Sequence, residues 1–152
     1  MFVCYGNICR SPMAEFVMKD LAAKAGLSRK FHIASSATST DQIGNDMHHA
    51  AKGRLRAECI PFAPRHAVQF SKEDYARYDY IIGMDGRNVR TITAIAGGDP
   101  DNKIYKLMDF TDEAGEDVAD PWYTGNFIRA LDDIKKGCTA LMEKVREEDL
   151  RP

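Results

Sequence analysis

Long hydrophobic runs and an excess of basic charge are both missing from this sequence of 152 residues. No apolar run approaches the ~18 residues that a membrane-spanning helix needs, and no basic segment followed by an apolar one marks a secretory signal. We therefore expect a cytoplasmic protein that does not act at a membrane. Because 21 basic residues face 23 acidic ones, the formal net charge is −2. A general nucleic-acid binder normally shows a basic excess, so nucleic acid is not an expected partner.

Metal-binding and disulfide patterns are missing as well. The four cysteines include no C-x-x-C pair, and His48 and His49 are adjacent, which points them to different faces of a helix or strand. We expect reduced thiols, no metal and no other cofactor. A composition of 44% hydrophobic and 29% charged residues is typical of an ordinary globular protein. The length predicts a single domain over residues 1–152.

The most informative segment that is present is CYGNICRS, which places Cys4 and Arg10 at the two ends of a five-residue loop. Gly6 allows close backbone approach, Asn7 tolerates a left-handed turn, and Ser11 predicts the N-cap of a following helix. Such a loop can hold a tetrahedral dianion by inward N–H groups, by the helix N-terminus and by the guanidinium. The same groups favour a thiolate at Cys4. The segment therefore predicts a phosphate site with a nucleophile at its floor.

A second segment, CIPFAPR, also places five residues between a cysteine, Cys59, and an arginine, Arg65. Two of its five residues are prolines, which have no N–H to offer a phosphate, and it contains no glycine. Composition thus favours the loop at Cys4. We interpret Cys59 as a small buried residue or a loop thiol, and Cys138, on the apolar face of the last helix, as a core residue.

Strand and helix patterns alternate along the whole chain. This alternation predicts an α/β fold of three layers (α/β/α) around a central four-stranded parallel sheet, with the phosphate-binding loop after the first strand. In such sheets ligands bind beyond the carboxyl ends of the strands. The predicted strands are 1–3, 31–34, 80–84 and 103–107, the predicted helices are 12–25, 47–58, 85–96 and 127–145, and 35–46 is predicted to be a loop.

A thiolate in a phosphate cradle still needs a general acid, because an alkoxide or phenolate leaving group needs a proton. Residues 109–120 carry six acidic residues, and most of such a run is expected to be solvated. Asp120 differs because Pro121 follows it and fixes its local backbone. The aromatic pair Trp122 and Tyr123 comes next and can wall a pocket for a flat aryl ring. Asp120 is therefore the candidate acid.

Three motifs carry a resemblance to a known family. CYGNICRSPMAE at 4–15, IGMDGRNVR at 82–90 and DPWY at 120–123 resemble the low-molecular-weight protein tyrosine phosphatases. The similarity extends over essentially the whole chain. The motifs at 4–15 and 120–123 are specific, because other cysteine phosphatases have the nucleophile and the acid in a different order.

The resemblance implies that Cys4 is the nucleophile, Arg10 the phosphate clamp and Asp120 the general acid. Cys4 would attack the phosphorus of phosphotyrosine, and Asp120 would protonate the departing phenol and then activate the water that hydrolyses the phosphocysteine. Expected partners are a phosphotyrosine-containing protein or a small aryl phosphate, with phosphate-like oxyanions as inhibitors. The implied phosphate-binding residues are Tyr5, Gly6, Asn7, Ile8, Cys9, Arg10 and Ser11, the loop-supporting ones Asn7, Ser11 and Ser35, and the pocket residues Tyr5, Ile8, Asp41, Trp122 and Tyr123.

The chain departs from the family pattern at several positions. Asp41 falls near the place where many members carry an aromatic pocket wall, which puts substrate preference in question. A histidine that braces the loop in many members is replaced here by Arg65, with His66 shifted by one. Relatives also carry a few more apolar residues before the loop, so the first strand is expected to be short or to begin before Met1.

Related activities on the same fold give the alternatives. Protein arginine phosphatases tend to have Thr at the position of Ile8, whereas tyrosine phosphatases have Ile, so aryl phosphates are favoured. Arsenate reductases need relay cysteines, and none lies between Cys59 and Cys138. A phosphocysteine carrier and a non-catalytic phosphoprotein-binding module are the remaining alternatives. Cys9 is either a buried small residue or, as in relatives, the partner of oxidised Cys4 in a disulfide.

Overall fold

A computed structural model describes residues 1–149. Its centre is a sheet of four parallel strands in the order β2–β1–β3–β4. The strands are β1 (Phe2–Cys4), β2 (Ser35–Ala37), β3 (Ile81–Gly83) and β4 (Ile104–Lys106). The predicted four-stranded parallel sheet of an α/β fold is thereby confirmed.

The prediction for the second strand was wrong in position. Residues 31–34 are not a strand, and β2 is formed by Ser35–Ala37, inside the segment predicted to be a loop. The reason is the register, which pairs Phe2 with Ser35 and Cys4 with Ala37. The apolar residues Phe31 and Ile33 therefore lie beyond the first residue of β1 and have no strand opposite them; they pack instead against the core.

Helices cover both faces of the sheet. Phe2 and Ile82 face a core built with the helices Arg10–Lys24, His49–Ala57 and Phe127–Asp149, whereas Val3 and Ile81 face the opposite side, against the helices Lys72–Arg77 and Gly86–Ala96. The three layers follow from this alternation, because a parallel sheet is buried on both faces. The helices are α1 (Arg10–Lys24), α2 (His49–Ala57), α3 (Lys72–Arg77), α4 (Gly86–Ala96), α5 (Pro121–Thr124) and α6 (Phe127–Asp149), with 3₁₀ turns at Ser28–Lys30 and Leu107–Phe110.

The two helices that the sequence reading missed are short. Helix α3 begins at a capping box in which Ser71 and Asp74 exchange side-chain and backbone hydrogen bonds. Helix α5 begins after Asp120 and ends at Gly125. Within the described part of the chain, residues 1–149, no helix is both long and apolar enough to cross a membrane.

Candidate active site

The loop of residues 5–9 connects the end of β1 to the start of α1 and wraps around the Cys4 side chain. Asn7 has φ 58°, the left-handed conformation predicted for it, and its backbone N–H donates to Cys4 Sγ at 3.3 Å. Ser11 Oγ lies 3.0 Å from the same sulfur. Cys4 is buried at the floor of the loop. The N–H of Asn7 thus points at the sulfur, and the hydroxyl of Ser11 lies within hydrogen-bond distance of it.

Ser11 does not cap helix α1, contrary to the prediction from sequence. The helix begins at Arg10 and no side chain caps it. The hydroxyl of Ser11 is turned inward, where it approaches Cys4 and accepts from Asn7 Nδ2 at 2.8 Å. An inward hydroxyl does not also accept from the N–H groups of the first turn, and these have no side-chain cap.

The side chain of Asn7 holds the loop to its surroundings. Its amide nitrogen donates to Ser11 Oγ at 2.8 Å and to Ser35 Oγ at 3.0 Å, and Ser35 in turn donates to Glu15 at 2.6 Å. Its amide oxygen accepts from Arg65 Nη2 at 2.5 Å and from the N–H of Val68 at 3.2 Å. Asn7 is completely buried and uses both ends of its amide.

Arg65 therefore braces the loop at the position where the resemblance implies a histidine. It belongs to the second Cys-to-Arg segment, which contributes a brace to the loop at Cys4 instead of a loop of its own. Cys59 of that segment is exposed, so it is a loop thiol, and Cys138 is fully buried in the core. Burial lowers the pKa of Arg65 from its ordinary value, partly offset by Glu15 and Asp46.

Arg10 is held on one side by a pair of acceptors that the sequence reading missed. Its Nη1 donates to Asp85 Oδ2 at 2.7 Å and to the carbonyl of Val118 at 2.8 Å, while Nη2 lies 3.3 Å from Asp120 Oδ2. Burial alone would lower the pKa of Arg10, but the charges at Cys4, Asp120 and Asp85 outweigh it and raise the pKa. The guanidinium is thus a fixed cation, only 2% exposed, at the pocket floor.

Asp85 reaches Arg10 because the turn between β3 and α4 is tight. A Cβ at Gly83 would lie 3.1 Å from side-chain atoms of Asn88 and Val89, so glycine lets the start of helix α4 approach the end of β3 closely. Asp85 caps α4 through Oδ1, which accepts from the N–H of Asn88 at 2.7 Å. The other carboxylate oxygen of Asp85, Oδ2, accepts from Arg10 Nη1.

Asp120 is brought to the same pocket from the far end of the chain. It caps helix α5, with Oδ1 accepting from the N–H of Trp122 at 3.1 Å, so that Oδ2 faces Arg10. Pro121 occupies the first helical position, where its missing N–H costs nothing. The carboxylate is only partly exposed, at 22%.

A pocket of about 200 Å³ lies above Cys4. Trp122 is 56% and Tyr123 80% exposed, so they form its outer rim. The structure brings together in this pocket all of the expected nucleophile, clamp, acid and pocket residues; Asn7, Ser11 and Ser35 lie behind the loop. The residues that line it are Cys4, Tyr5, Gly6, Ile8, Cys9, Arg10, Asp41, Gln42, Asp120, Trp122 and Tyr123.

His48 supports one wall of the pocket and was not singled out from sequence. Its ring lies edge-on to Trp122 at 5.9 Å between centroids and stacks on Phe127 at 5.2 Å. Its Nδ1 accepts from the N–H of Ala50 at 3.1 Å, which fixes the ring at the start of α2. Burial and the neighbouring His49 lower the pKa of His48. Within residues 1–149, no three His, Cys, Asp or Glu side chains are placed to share a metal ion.

Comparisons with known proteins agree with this geometry. A family model described as "Low molecular weight phosphotyrosine protein phosphatase" matches residues 1–151. The low molecular weight protein-tyrosine-phosphatase YfkJ of Bacillus subtilis is 42% identical over 149 residues, which are 97% of this chain and 96% of that protein.

Solved structures give the same result. The crystal structure of YfkJ superposes with a TM-score of 0.93 and covers 97% of this chain and 93% of its own. The low molecular weight protein tyrosine phosphatase SP-PTP of Streptococcus pyogenes is 38% identical, with a TM-score of 0.83, and 94% and 89% of the two chains are covered. A protein tyrosine phosphatase from Entamoeba histolytica with Hepes in its active site is 30% identical, with a TM-score of 0.89 and coverage of 98% and 97%.

Proposed function

This chain belongs to the low molecular weight phosphotyrosine protein phosphatase family, and on that premise we propose that it hydrolyses phosphotyrosine through a phosphocysteine at Cys4. The observation that carries the proposal is the convergence of three groups on one small pocket. Cys4 Sγ lies at the floor under the N–H of Asn7, Arg10 is a fixed cation beside it, and Asp120 comes from a segment 110 residues away to face Arg10. We regard residues 1–152 as one phosphatase domain.

In the first step, the thiolate of Cys4 attacks phosphorus in line with the ester oxygen. A bond forms between sulfur and phosphorus, the bond from phosphorus to the phenolic oxygen breaks, and Asp120 gives its proton to that oxygen. The loop N–H groups and Arg10 hold the three equatorial oxygens while the charge spreads over them. Asp85 and Val118 hold the guanidinium from behind, so the clamp needs no reorganisation.

In the second step, water replaces the phenol. Asp120, now a carboxylate, takes a proton from the water as its oxygen bonds to phosphorus, and the sulfur–phosphorus bond breaks to release Cys4 and phosphate. The proposed chemistry uses the side chains and backbone N–H groups of the protein and calls on no metal or other cofactor. The thiolate of Cys4 is both nucleophile and leaving group, which favours a reducing, cytoplasmic place of action.

Ile8 and the aromatic rim support an aryl substrate. Ile8 is buried and lines the pocket, and Trp122 and Tyr123 stand at its mouth, so the space above the phosphate site is apolar on these sides. A phenyl ring gains contact there, whereas a guanidinium would lose hydrogen bonds to water. Cys59 and Cys138 do not line the pocket, so Cys9 is the one thiol beside Cys4 among the lining residues, and the further relay cysteines that an arsenate reductase needs are not placed there.

The first experiment is the steady-state hydrolysis of three otherwise identical peptides that carry phosphotyrosine, phosphoserine or phosphoarginine. We expect kcat/KM to be highest for phosphotyrosine and negligible for phosphoserine, because serine is a poorer leaving group and its short side chain does not reach the floor. A strong preference for phosphoarginine would overturn the substrate assignment. Absence of turnover on all three would favour a binding module.

Oxyanions that resemble phosphate should inhibit. The cradle recognises a tetrahedral anion by its N–H groups and by the guanidinium, whatever the central atom. The Entamoeba histolytica relative holds Hepes, a sulfonate, in its active site, which supports this proposal. Protein phosphotyrosine or a small aryl phosphate is the proposed partner, and nucleic acid is not.

Replacing Arg65 by glutamine is expected to lower kcat/KM by about tenfold or more, because a charged hydrogen bond of 2.5 Å to Asn7 is removed from behind the loop. Inhibition by inorganic phosphate should weaken in parallel, since the same loop N–H groups hold it. Arg29→Gln, at an exposed arginine of a 3₁₀ turn, is the control and should behave as wild type. Unchanged phosphate inhibition in Arg65→Gln would contradict the bracing role.

Mild peroxide treatment is expected to yield a disulfide between Cys4 and Cys9. Burial, with the charges at Cys4 and Asp120, raises the pKa of Cys9 to about 12, so Cys9 stays a thiol and oxidation begins at Cys4. The sulfenic acid formed there would condense with the Cys9 thiol and release water. Peptide mapping should find the 4–9 disulfide in wild type and sulfinic acid in Cys9→Ser. Stable Cys4 sulfinic acid in wild type would refute a protective role.

A further inference from the structure

The outer end of the pocket differs in charge from its floor. Tyr5 and Asp41 stand together at the mouth, where Tyr5 Oη donates to Asp41 Oδ2 at 2.5 Å. This bond joins the loop at Cys4 to the segment after β2, and it sets the ring of Tyr5 as a pocket wall. Asp41 itself is exposed and supplies a carboxylate to the lining of the pocket.

The charge of Asp41 is not neutralised by the protein. Among residues 1–149, no Lys, Arg or His lies within ion-pair distance of its carboxylate, and the phenol of Tyr5 is the only side chain that donates to it. The hydrogen bond and charge of Asp41 raise the pKa of Tyr5, so the phenol remains neutral. Arg10, the one cation that lines the pocket, is at the floor and already faces two carboxylates.

A substrate dianion that enters this pocket passes the carboxylate of Asp41, whose negative charge is not compensated. The pocket, at about 200 Å³, has room for an aryl phosphate but not for the residues on either side of it in a peptide. Those neighbours must lie at the mouth of the pocket, which Asp41 and Gln42 line together with the exposed Trp122 and Tyr123. A cationic side chain there meets a carboxylate of opposite charge, whereas an acidic one adds to the repulsion.

We propose that Asp41 makes this phosphatase selective for phosphotyrosine with a lysine or arginine beside it in the substrate. The inference rests on the proposed function and names the class of substrate that the same site prefers. The cationic side chain of the substrate forms an ion pair with the carboxylate of Asp41 at the mouth of the pocket. Among residues 1–149 that carboxylate has no cationic partner. Tyr5 contributes by holding the carboxylate toward the pocket.

The test compares peptides that differ only in the residues flanking phosphotyrosine, which are Lys, Gln or Glu. Because attraction of the Lys peptide and repulsion of the Glu peptide act together at this exposed carboxylate, kcat/KM should be about tenfold higher for the Lys peptide than for the Glu peptide at low salt. The difference should shrink as ionic strength rises. In Asp41→Asn, which keeps an oxygen to accept from Tyr5, the ratio of kcat/KM between the Lys and Glu peptides should fall to about twofold. The rate of hydrolysis of p-nitrophenyl phosphate should rise in the same variant.

Two further variants separate the charge from the hydrogen bond and from net charge. Tyr5→Phe removes the bond but keeps the carboxylate, so a clear preference for Lys should persist. Glu147→Gln makes the same charge change near the far end of helix α6, roughly 30 Å along the helix from Phe127, and should keep the full tenfold difference.

Failure of this inference differs from failure of the proposed function. Equal kcat/KM for the three phosphotyrosine peptides in wild type would overturn the role of Asp41 and leave the phosphatase assignment intact. A persistent tenfold preference in Asp41→Asn would do the same. A phosphoarginine peptide hydrolysed faster than every phosphotyrosine peptide, with that advantage lost in Asp41→Asn, would overturn the substrate class itself.

Discussion

Replacing Cys4 by serine is expected to lower the turnover of phosphotyrosine by roughly 10⁴-fold or more, to a level near the background. A serine hydroxyl is a much weaker nucleophile than a thiolate at neutral pH, and no base is placed to activate it. Ser11 Oγ is the nearest side-chain oxygen, and it is already shared among Cys4, Asn7 and the carbonyl of Ser36. The covalent intermediate therefore cannot form.

The phosphate cradle should survive this change. Oγ of serine takes the place of Sγ with little difference in volume, and the contacts of Asn7 with Ser11, Ser35 and Arg65 do not involve Cys4. Cys4→Ser should therefore still bind a phosphotyrosine peptide, measured by calorimetry, while its turnover is lost. A binding module would instead show no turnover before or after the substitution.

Cys59→Ser provides the matched control. It makes the same atomic change in the other Cys-to-Arg segment, at an exposed thiol, and should leave kcat/KM within about twofold of wild type, as expected for a surface substitution. Loss of activity in Cys59→Ser, or turnover that persists in Cys4→Ser, would contradict the assignment of Cys4 as the nucleophile.

The parts of the fold that were predicted correctly have strong local signals. Residues 80–84 are continuously apolar, Asp85 is a good N-cap, and the last helix repeats its apolar residues every three to four positions. Strand β2 has no such signal, because it consists of Ser35, Ser36 and Ala37. Pairing with β1 selects these residues, and that choice depends on the register between segments more than 30 residues apart. Helix α3, which was not predicted, does have a local signal in its capping box of Ser71 and Asp74.

The sequence predicts the catalytic residues of the site better than it predicts the residues that hold them in place. Cys4, Arg10 and the loop between them are adjacent in sequence, and Asp120 is marked by the proline and aromatic residues that follow. Asp85 looks like an ordinary helix cap, because the sequence does not show that its second oxygen meets Arg10. The position of Arg65 was expected from the family pattern, but its bond to Asn7 depends on how a loop 58 residues away folds back.

Replacing Asp120 by asparagine is expected to lower kcat on phenyl phosphate by about 10²–10⁴-fold, the usual contribution of a positioned general acid. The substitution keeps the oxygen that accepts from the N–H of Trp122, so helix α5 should stay in place. It removes the proton donor and the charge that faces Arg10. Asp112→Asn, at an exposed residue of the same acidic segment, should have no comparable effect.

The leaving group provides a sharper test, because Asp120 is assigned a role in both steps. p-Nitrophenol is a far more acidic phenol than tyrosine and needs little protonation, so Asp120→Asn should still transfer the phosphoryl group of p-nitrophenyl phosphate to Cys4 at an appreciable rate. Hydrolysis of the phosphocysteine still lacks its base and becomes limiting. Rapid mixing should therefore show a burst of p-nitrophenol stoichiometric with the enzyme, followed by slow turnover, whereas phenyl phosphate should give no burst. Equal losses of kcat on the two substrates without a burst would show that Asp120 does not protonate the leaving group. Full activity of Asp120→Asn would show that Asp120 has no catalytic role.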